Sequence, residues 1–317
     1  MTAPLLLVAA ALPCVYWTGG FESRSTLDAA GIRHLCAPPD TADGWRAAGF
    51  DVQTMTDAEL AARAPLPAPG IAPRTGVASP TRSPWIVANG WRFLRDPGAR
   101  FMFDGPAEKA AIVAAEAHAY DADVLIRMGE PSDGGSLASL GSMLTFLARV
   151  PDTELPAIAD IGIVDDGSAV TGEVLNLLAR RNLLFEVLRA PSTRYRVNVE
   201  LGSAAYPAGE AADPNAFAQR IRRQITDEER SLRVYGSEVV VCRVVGDGRR
   251  LRVHLLNYGG REIEGLRLRV RGSFPEGEAL AAGIGRLDLT DHVVADGFTE
   301  FSVPRIASYA IADLRAR

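Results

Sequence analysis

The stretch ADIGIVDDGSAVTGEVLNLLARRNLLFEVL, residues 159–188, constrains the fold more than any other part of the chain. Ile161, Ile163 and Val164 make a short apolar run that stops at Asp165, Asp166, Gly167 and Ser168, a set of loop formers and helix caps. From Val170 to Arg181 the apolar residues Val170, Val174, Leu175, Leu177 and Leu178 recur at three- and four-residue spacings, which predicts a helix. Arg180, Arg181 and Asn182 give it a cationic end, and Leu183 to Leu188 returns as a strand. A strand, crossover helix and strand of this length belong to a parallel sheet, and such sheets place ligands beyond the carboxyl ends of their strands. Asp165 and Asp166 stand at that position.

The same rhythm runs through the residues before it. Strands are expected near residues 15, 34, 52, 87, 102, 125, 162 and 186, with short helices around Thr26–Ala30, Thr41–Ala48 and Asp57–Arg63 and longer ones over Ala107–Tyr120 and Ser136–Arg149. Asp57 is available to cap the third of these helices, and Asp104 or Gly105 the fourth. Eight strands are the number a (β/α)8 barrel requires, although about 190 residues is short for that fold, so an open parallel sheet is the alternative. The proline-rich segment Ala64–Pro84 interrupts the alternation and reads as an extended surface stretch, either a linker or a loop over a functional face.

From Leu232 the pattern changes. VYGSEVVVCRVV and RRLRVHLLNY are two β-branched runs joined at Asp247 and Gly248, a hairpin signal. Ile263 to Val270 alternates apolar residues with Glu264, Arg267 and Arg269, and three further short strands follow. The expected architecture is therefore an α/β N-terminal domain, a reduced (β/α)8-like barrel or open parallel sheet over 13–200, followed by an antiparallel β-sandwich over 232–317. A linker region with an amphipathic helix, roughly Asn215–Ile225, occupies 201–231.

Composition excludes several function classes. A net charge of -5 at pH 7 supplies no basic field for nucleic acid, and Lys109 is the only lysine, with the arginines scattered rather than clustered. Leu5 to Leu12 is a signal-like apolar core at 1–12 with Ala9 and Ala11 as a small-x-small site, but no basic residue precedes it. Eight residues cannot span a bilayer, which takes about twenty. The expectation is no membrane span and an extracellular or periplasmic location, with the cytoplasm as the alternative. Cys14, Cys36 and Cys242 are odd in number and far apart, which reads as buried free thiols rather than a disulfide framework. His34, His118, His254 and His292 are dispersed, so neither a metal site nor a cofactor is expected. No G-x-S-x-G elbow and no Gly-Lys-Ser/Thr phosphate loop occurs.

The words ADVLIRM, FLARVP and LPAIADIGIVDDGS leading into NLLFEVL, and then LRVHLLNYGG and FTEFSVPRIASYAIADL near the end, resemble the back half of glycoside hydrolases of the β-galactosidase type. In that family a TIM barrel passes into an amidotransferase-like domain and a closing β-sandwich. The similarity covers roughly residues 100–190 and 232–314. It implies an oligo- or polysaccharide partner and leaves a homo-oligomer open. The chain departs from the family in carrying no asparagine-glutamate pair at a strand end and no cysteine at a strand-to-helix elbow.

Glycoside hydrolysis needs one carboxylic acid to protonate the leaving oxygen and one carboxylate as nucleophile or base, about 5–5.5 Å apart for retention and about 6.5–9.5 Å for inversion. The acids that follow expected strands are Asp104, Glu130, Asp165 and Asp166, with Glu130 the first choice as acid and Asp165 as nucleophile or base. Trp17 and Trp91 are the candidate sugar-stacking platforms and Arg127 a candidate substrate contact. The alternative is a non-catalytic carbohydrate-binding or assembly module in which Asp104 and Asp166 cap helices and the tryptophans are core.

Overall fold

The computed structural model describes residues 12–72, 85–129 and 134–317. They form two compact units. One comprises the described residues of Met1–Ala68 together with Gly98–Glu154, the other those of Pro69–Pro97 together with Leu155–Arg317.

The first unit is built on a six-stranded sheet in the order Asp51–Thr54, His34–Ala37, Cys14–Tyr16, Asp123–Met128, Arg100–Gly105, Ala64–Leu66. Every pairing in it is parallel. The sheet is open, with Asp51–Thr54 and Ala64–Leu66 as its edges, so the barrel alternative is corrected. Five of the eight expected strands lie in this sheet, those near 162 and 186 lie in another, and Trp85–Val87 pairs only with Gly70–Ala72. Alternation places Val15, Leu35 and Ile126 toward one face and Cys14, Tyr16, Cys36 and Leu125 toward the other, where they share a core with Met55 and Leu60.

The alanine helix Ala110–Tyr120 buries Ala110, Ala114, Ala115, Ala117 and Ala119, a surface small enough to lie close against its neighbours. It packs on the Gly134–Leu147 helix, which in turn meets Arg24–Ala30. At that second crossing a Cβ on Gly141 would stand 1.6 Å from the carbonyl oxygen of Ala30, so only glycine permits the approach. Thr56, rather than Asp57, caps the helix Asp57–Ala61, in a capping box with Glu59.

Cys14 and Cys36 are joined by a disulfide, with 5.7 Å between their Cα atoms. This corrects the free-thiol expectation: 22 residues apart in sequence, they are brought side by side by the pairing of the first two strands. Cys242 is free and buried, and burial pushes its thiol pKa upward.

In the second unit Ile161–Val164 is the centre of a three-stranded parallel sheet between Phe185–Leu188 and Asn198–Glu200. The predicted strand, helix and strand are all present, the helix as Ala169–Arg180. Asn182, left-handed at φ 52°, ends it, and its side chain donates to Val240 O at 2.9 Å and accepts from Cys242 N at 2.8 Å. The helix Pro214–Glu229 packs against Ala169–Arg180 and buries Phe217 and Ile221.

The antiparallel part has a four-stranded sheet, Leu232–Tyr235, Ile263–Arg271, Phe298–Ile306, Thr290–Ala295, and a five-stranded sheet, Val240–Gly246, Arg250–Asn257, Tyr309–Arg315, Glu276–Ala281, Gly285–Asp288. Leu266, Leu268 and Val270 from the first share one core with Val253, Leu255, Ala310 and Ala312 from the second. The predicted hairpin closes as expected, with Asp247 accepting from the backbone of Arg249 and Arg250 and Gly248 at φ 84°. Among the described residues no helix is long and apolar enough to cross a membrane.

Candidate functional site

At the carboxyl edge of the six-stranded sheet, register sets Asp104, Arg127, Tyr16, Cys36 and Gln53 in one row across five adjacent strands. In-register neighbours on parallel strands point to the same face, so this row follows directly from the pairing. Arg127 bonds the Asp104 carboxylate, and both side chains are nearly half exposed. That hydrogen bond holds Asp104 below the usual carboxylate range, against the opposing pull of partial burial. Burial pushes the Tyr16 phenol up; Asp57 and Asp40 push the same way, and Arg127 opposes them.

Trp17 follows Tyr16 and is partly buried. Its backbone N–H donates to Cys36 O at 2.8 Å, and its indole Nε1 donates to Ser23 Oγ at 2.9 Å, which fixes the ring. Phe21 lies on the same loop, half exposed and stacked on Trp45 at 4.9 Å. The segment after the Cys14–Tyr16 strand thus carries a partly buried tryptophan and a half-exposed phenylalanine, and the neighbouring strand carries Arg127. Glu130 lies outside the described residues.

Asp165, Asp166 and Trp91 belong to the other unit. Asp165 receives two hydrogen bonds from Arg95, at 2.9 and 2.6 Å, and its side chain is only 2% exposed. Arg95 also donates to Ser168 O at 2.7 Å, and Gly167 N–H donates to Asp165 at 3.1 Å. The Arg95 bond, with help from Gly167, keeps Asp165 well ionised in spite of burial. Asp166 is exposed and accepts from Ser168 N at 2.9 Å, a bond that lowers its pKa. Ser168, not Asp166, caps the following helix, accepting from Thr171 N at 3.1 Å.

Trp91 is buried, with the guanidinium of Arg92 4.2 Å and that of Arg95 5.6 Å from its ring centroid. Its indole packs so near the helix that a Cβ on Gly172 would come within 2.9 Å of it. Asn176 fastens the same region, donating to Ile86 O at 3.0 Å.

Asp104 belongs to the first unit and Asp165 and Asp166 to the second, and each of the three already holds an arginine or a backbone amide. Sequence reading missed Tyr16 and Arg95. Tyr16 lies in the strand expected near residue 15, but its neighbours are fixed by strand order; Arg95 lies 70 residues from its carboxylate, and no local signal links them. Among the described residues no group of three or more His, Cys, Asp or Glu could hold a metal ion.

No family model matches the sequence, and no curated protein matches it. Among solved structures the chain is similar to alpha-L-fucosidase isoenzyme 2 from Paenibacillus thiaminolyticus, with a TM-score of 0.56 at 9% identity over 93% of this chain and 72% of that one. Weaker likenesses are to a beta-galactosidase from Bacillus circulans sp. alkalophilus (TM-score 0.46, 9% identity, 89% of this chain and 63% of that one) and a rhamnosidase from Novosphingobium sp. PP1Y (TM-score 0.43, 8% identity, 68% and 31%). The parallel α/β sheet with its later antiparallel sheets is therefore a fold that a glycoside hydrolase also uses.

Proposed function

We propose that this protein binds carbohydrate without hydrolysing it, on a fold shared with glycoside hydrolases. One observation carries the reading: the three candidate acids that the structure describes are already engaged, Asp104 by Arg127, Asp165 by Arg95 and Asp166 by the Ser168 amide. A glycosidase needs a general acid that keeps its proton near neutral pH, and that requires a raised pKa. All three acids are shifted the other way. The rim of the six-stranded sheet is the binding surface in this reading, with Trp17 as the stacking platform and Arg127 and Asp104 as hydrogen-bonding partners for sugar hydroxyls. An oligo- or polysaccharide is the partner.

A glycan array read alongside a panel of aryl glycosides tests this. The expected result is saturable binding to at least one glycan, weakened about tenfold or more in Trp17→Ala, with no turnover of any aryl glycoside. Turnover that disappears in Glu130→Gln or Asp104→Asn would establish the hydrolase instead. An array with no bound glycan would remove the carbohydrate reading altogether.

A further inference from the structure

Within the second unit a cavity of about 420 Å³ is lined by five arginines from three segments. Arg181 comes from the end of the Ala169–Arg180 helix, Arg222 from the Pro214–Glu229 helix, and Arg230 and Arg233 from the chain that leads into the strand Leu232–Tyr235. Its volume is in the range of small-molecule sites, roughly 300–1,000 Å³. So many guanidinium groups in one concavity repel one another unless anions intervene.

The anions present fall short. Arg222, Arg230 and Arg233 all turn to one carboxylate, Asp227, at 3.1, 3.3 and 3.4 Å. Among the described residues the Arg181 side chain bonds only the neutral amide of Asn215, at 2.5 Å. Glu238 is the one acid in the cavity wall, and nearby Asp160 spends its oxygens on the backbone and hydroxyl of Ser231, at 3.1 and 2.6 Å. Arg230 is more than nine-tenths buried, and its Nε, like that of Arg181, is buried with no hydrogen-bond partner among the described residues. A buried donor left unmade is costly, so such donors mark a place for an acceptor.

The backbone adds an independent sign. Thr226, one residue before Asp227, takes φ 48° and ψ 163° and breaks the helix there. A β-branched residue is rarely found in that region, and such strain clusters where a site must be aimed.

We infer that this cavity binds a small molecule through an oxyanion, a phosphate, a sulfate ester or a carboxylate, held by the forked donors of Arg222, Arg230 and Arg233. Guanidinium groups match such anions bidentately. Tyr235 lines the same wall, with the Arg233 guanidinium 5.1 Å from its ring, and offers a flat surface to the rest of the ligand. This site is formed within the second unit alone and does not depend on the carbohydrate reading.

Calorimetric titration of the full chain with inorganic phosphate, inorganic sulfate and glucuronate, at constant ionic strength in a zwitterionic buffer, tests the inference. Saturable one-site binding of at least one probe is expected, weakened about tenfold or more in Arg233→Gln and in Arg222→Gln. Both side chains are partly exposed, so the variants should fold, and unchanged circular dichroism verifies it. The probe that binds most tightly separates phosphate, sulfate and carboxylate sources. Arg305→Gln, on the sandwich and paired with Glu262, is the control and should bind like the parent. No saturable binding to any probe, or equal binding by the parent and both cavity variants, overturns the proposal.

Discussion

Two aspartate–arginine pairs sit at the carboxyl ends of parallel strands in this molecule, and they have opposite characters. Asp165 and Arg95 are 2% and 20% exposed and joined by two hydrogen bonds, with further bonds to Gly167 and Ser168 O. Asp104 and Arg127 are 47% and 42% exposed on adjacent strands of the open sheet. The chemistry is the same, and the surroundings decide its use. A buried pair that loses one partner strands a charge, so it acts as a structural lock. An exposed pair adds little stability and stays open to a ligand.

The largest expected effect follows from breaking the buried pair. Asp165→Ala should cost about 3–5 kcal/mol in urea unfolding, because Arg95 then keeps its charge beside Trp91 without the carboxylate that accepts two of its hydrogen bonds. Should Asp104→Ala cost as much, the contrast between the two pairs would fail.

Gly141→Ala comes next, at about 1–3 kcal/mol, since the new methyl meets the Ala30 carbonyl. Thermal unfolding that leaves the melting temperature unchanged would show that the helix layer, unlike the rim, is loosely packed.

Acid sharpens the comparison further. The folded-state pKa of Asp165 is depressed, so its contribution is complete above the unfolded value, about 3.9, and is lost as pH falls through the lower folded value. In that window the unfolded chain binds more protons, and stability should rise with pH more steeply in the parent than in Asp165→Asn. Parallel stability curves for the two proteins would contradict this.

The smallest effect is that of Asp104→Asn, expected within about 1 kcal/mol by the same unfolding assay, with any change appearing in glycan binding instead.

Much of this was legible in the sequence. The strand, helix and strand after Ala159, the Asp247–Gly248 hairpin and the alternating Ile263–Val270 strand are set by local spacing and turn chemistry, and all three appear where the pattern put them. The candidate site was legible only in part. Asp104 is a candidate for its position after a strand, Trp17 as a stacking surface and Arg127 as a substrate contact, but that Asp104 and Arg127 face each other rests on strand order. The disulfide was misread for the same reason: a 22-residue separation says nothing about pairing until Cys14–Tyr16 lies beside His34–Ala37. The strand expected near residue 87 is Trp85–Val87, but the helix Gly90–Arg95 that follows it was not expected, and its Trp91 packs against Gly172.

By itself the sequence determined which segments are strands and helices, because periodicity and turn residues act over a few positions. Only the tertiary structure decided that the sheet of the first unit stays open, that Ile161–Val164 belongs to a different sheet, and that Asp165 is locked by an arginine 70 residues away. Those outcomes depend on which strands meet and on what each buried charge finds beside it. Contacts between residues distant in sequence set both, and no local pattern encodes them.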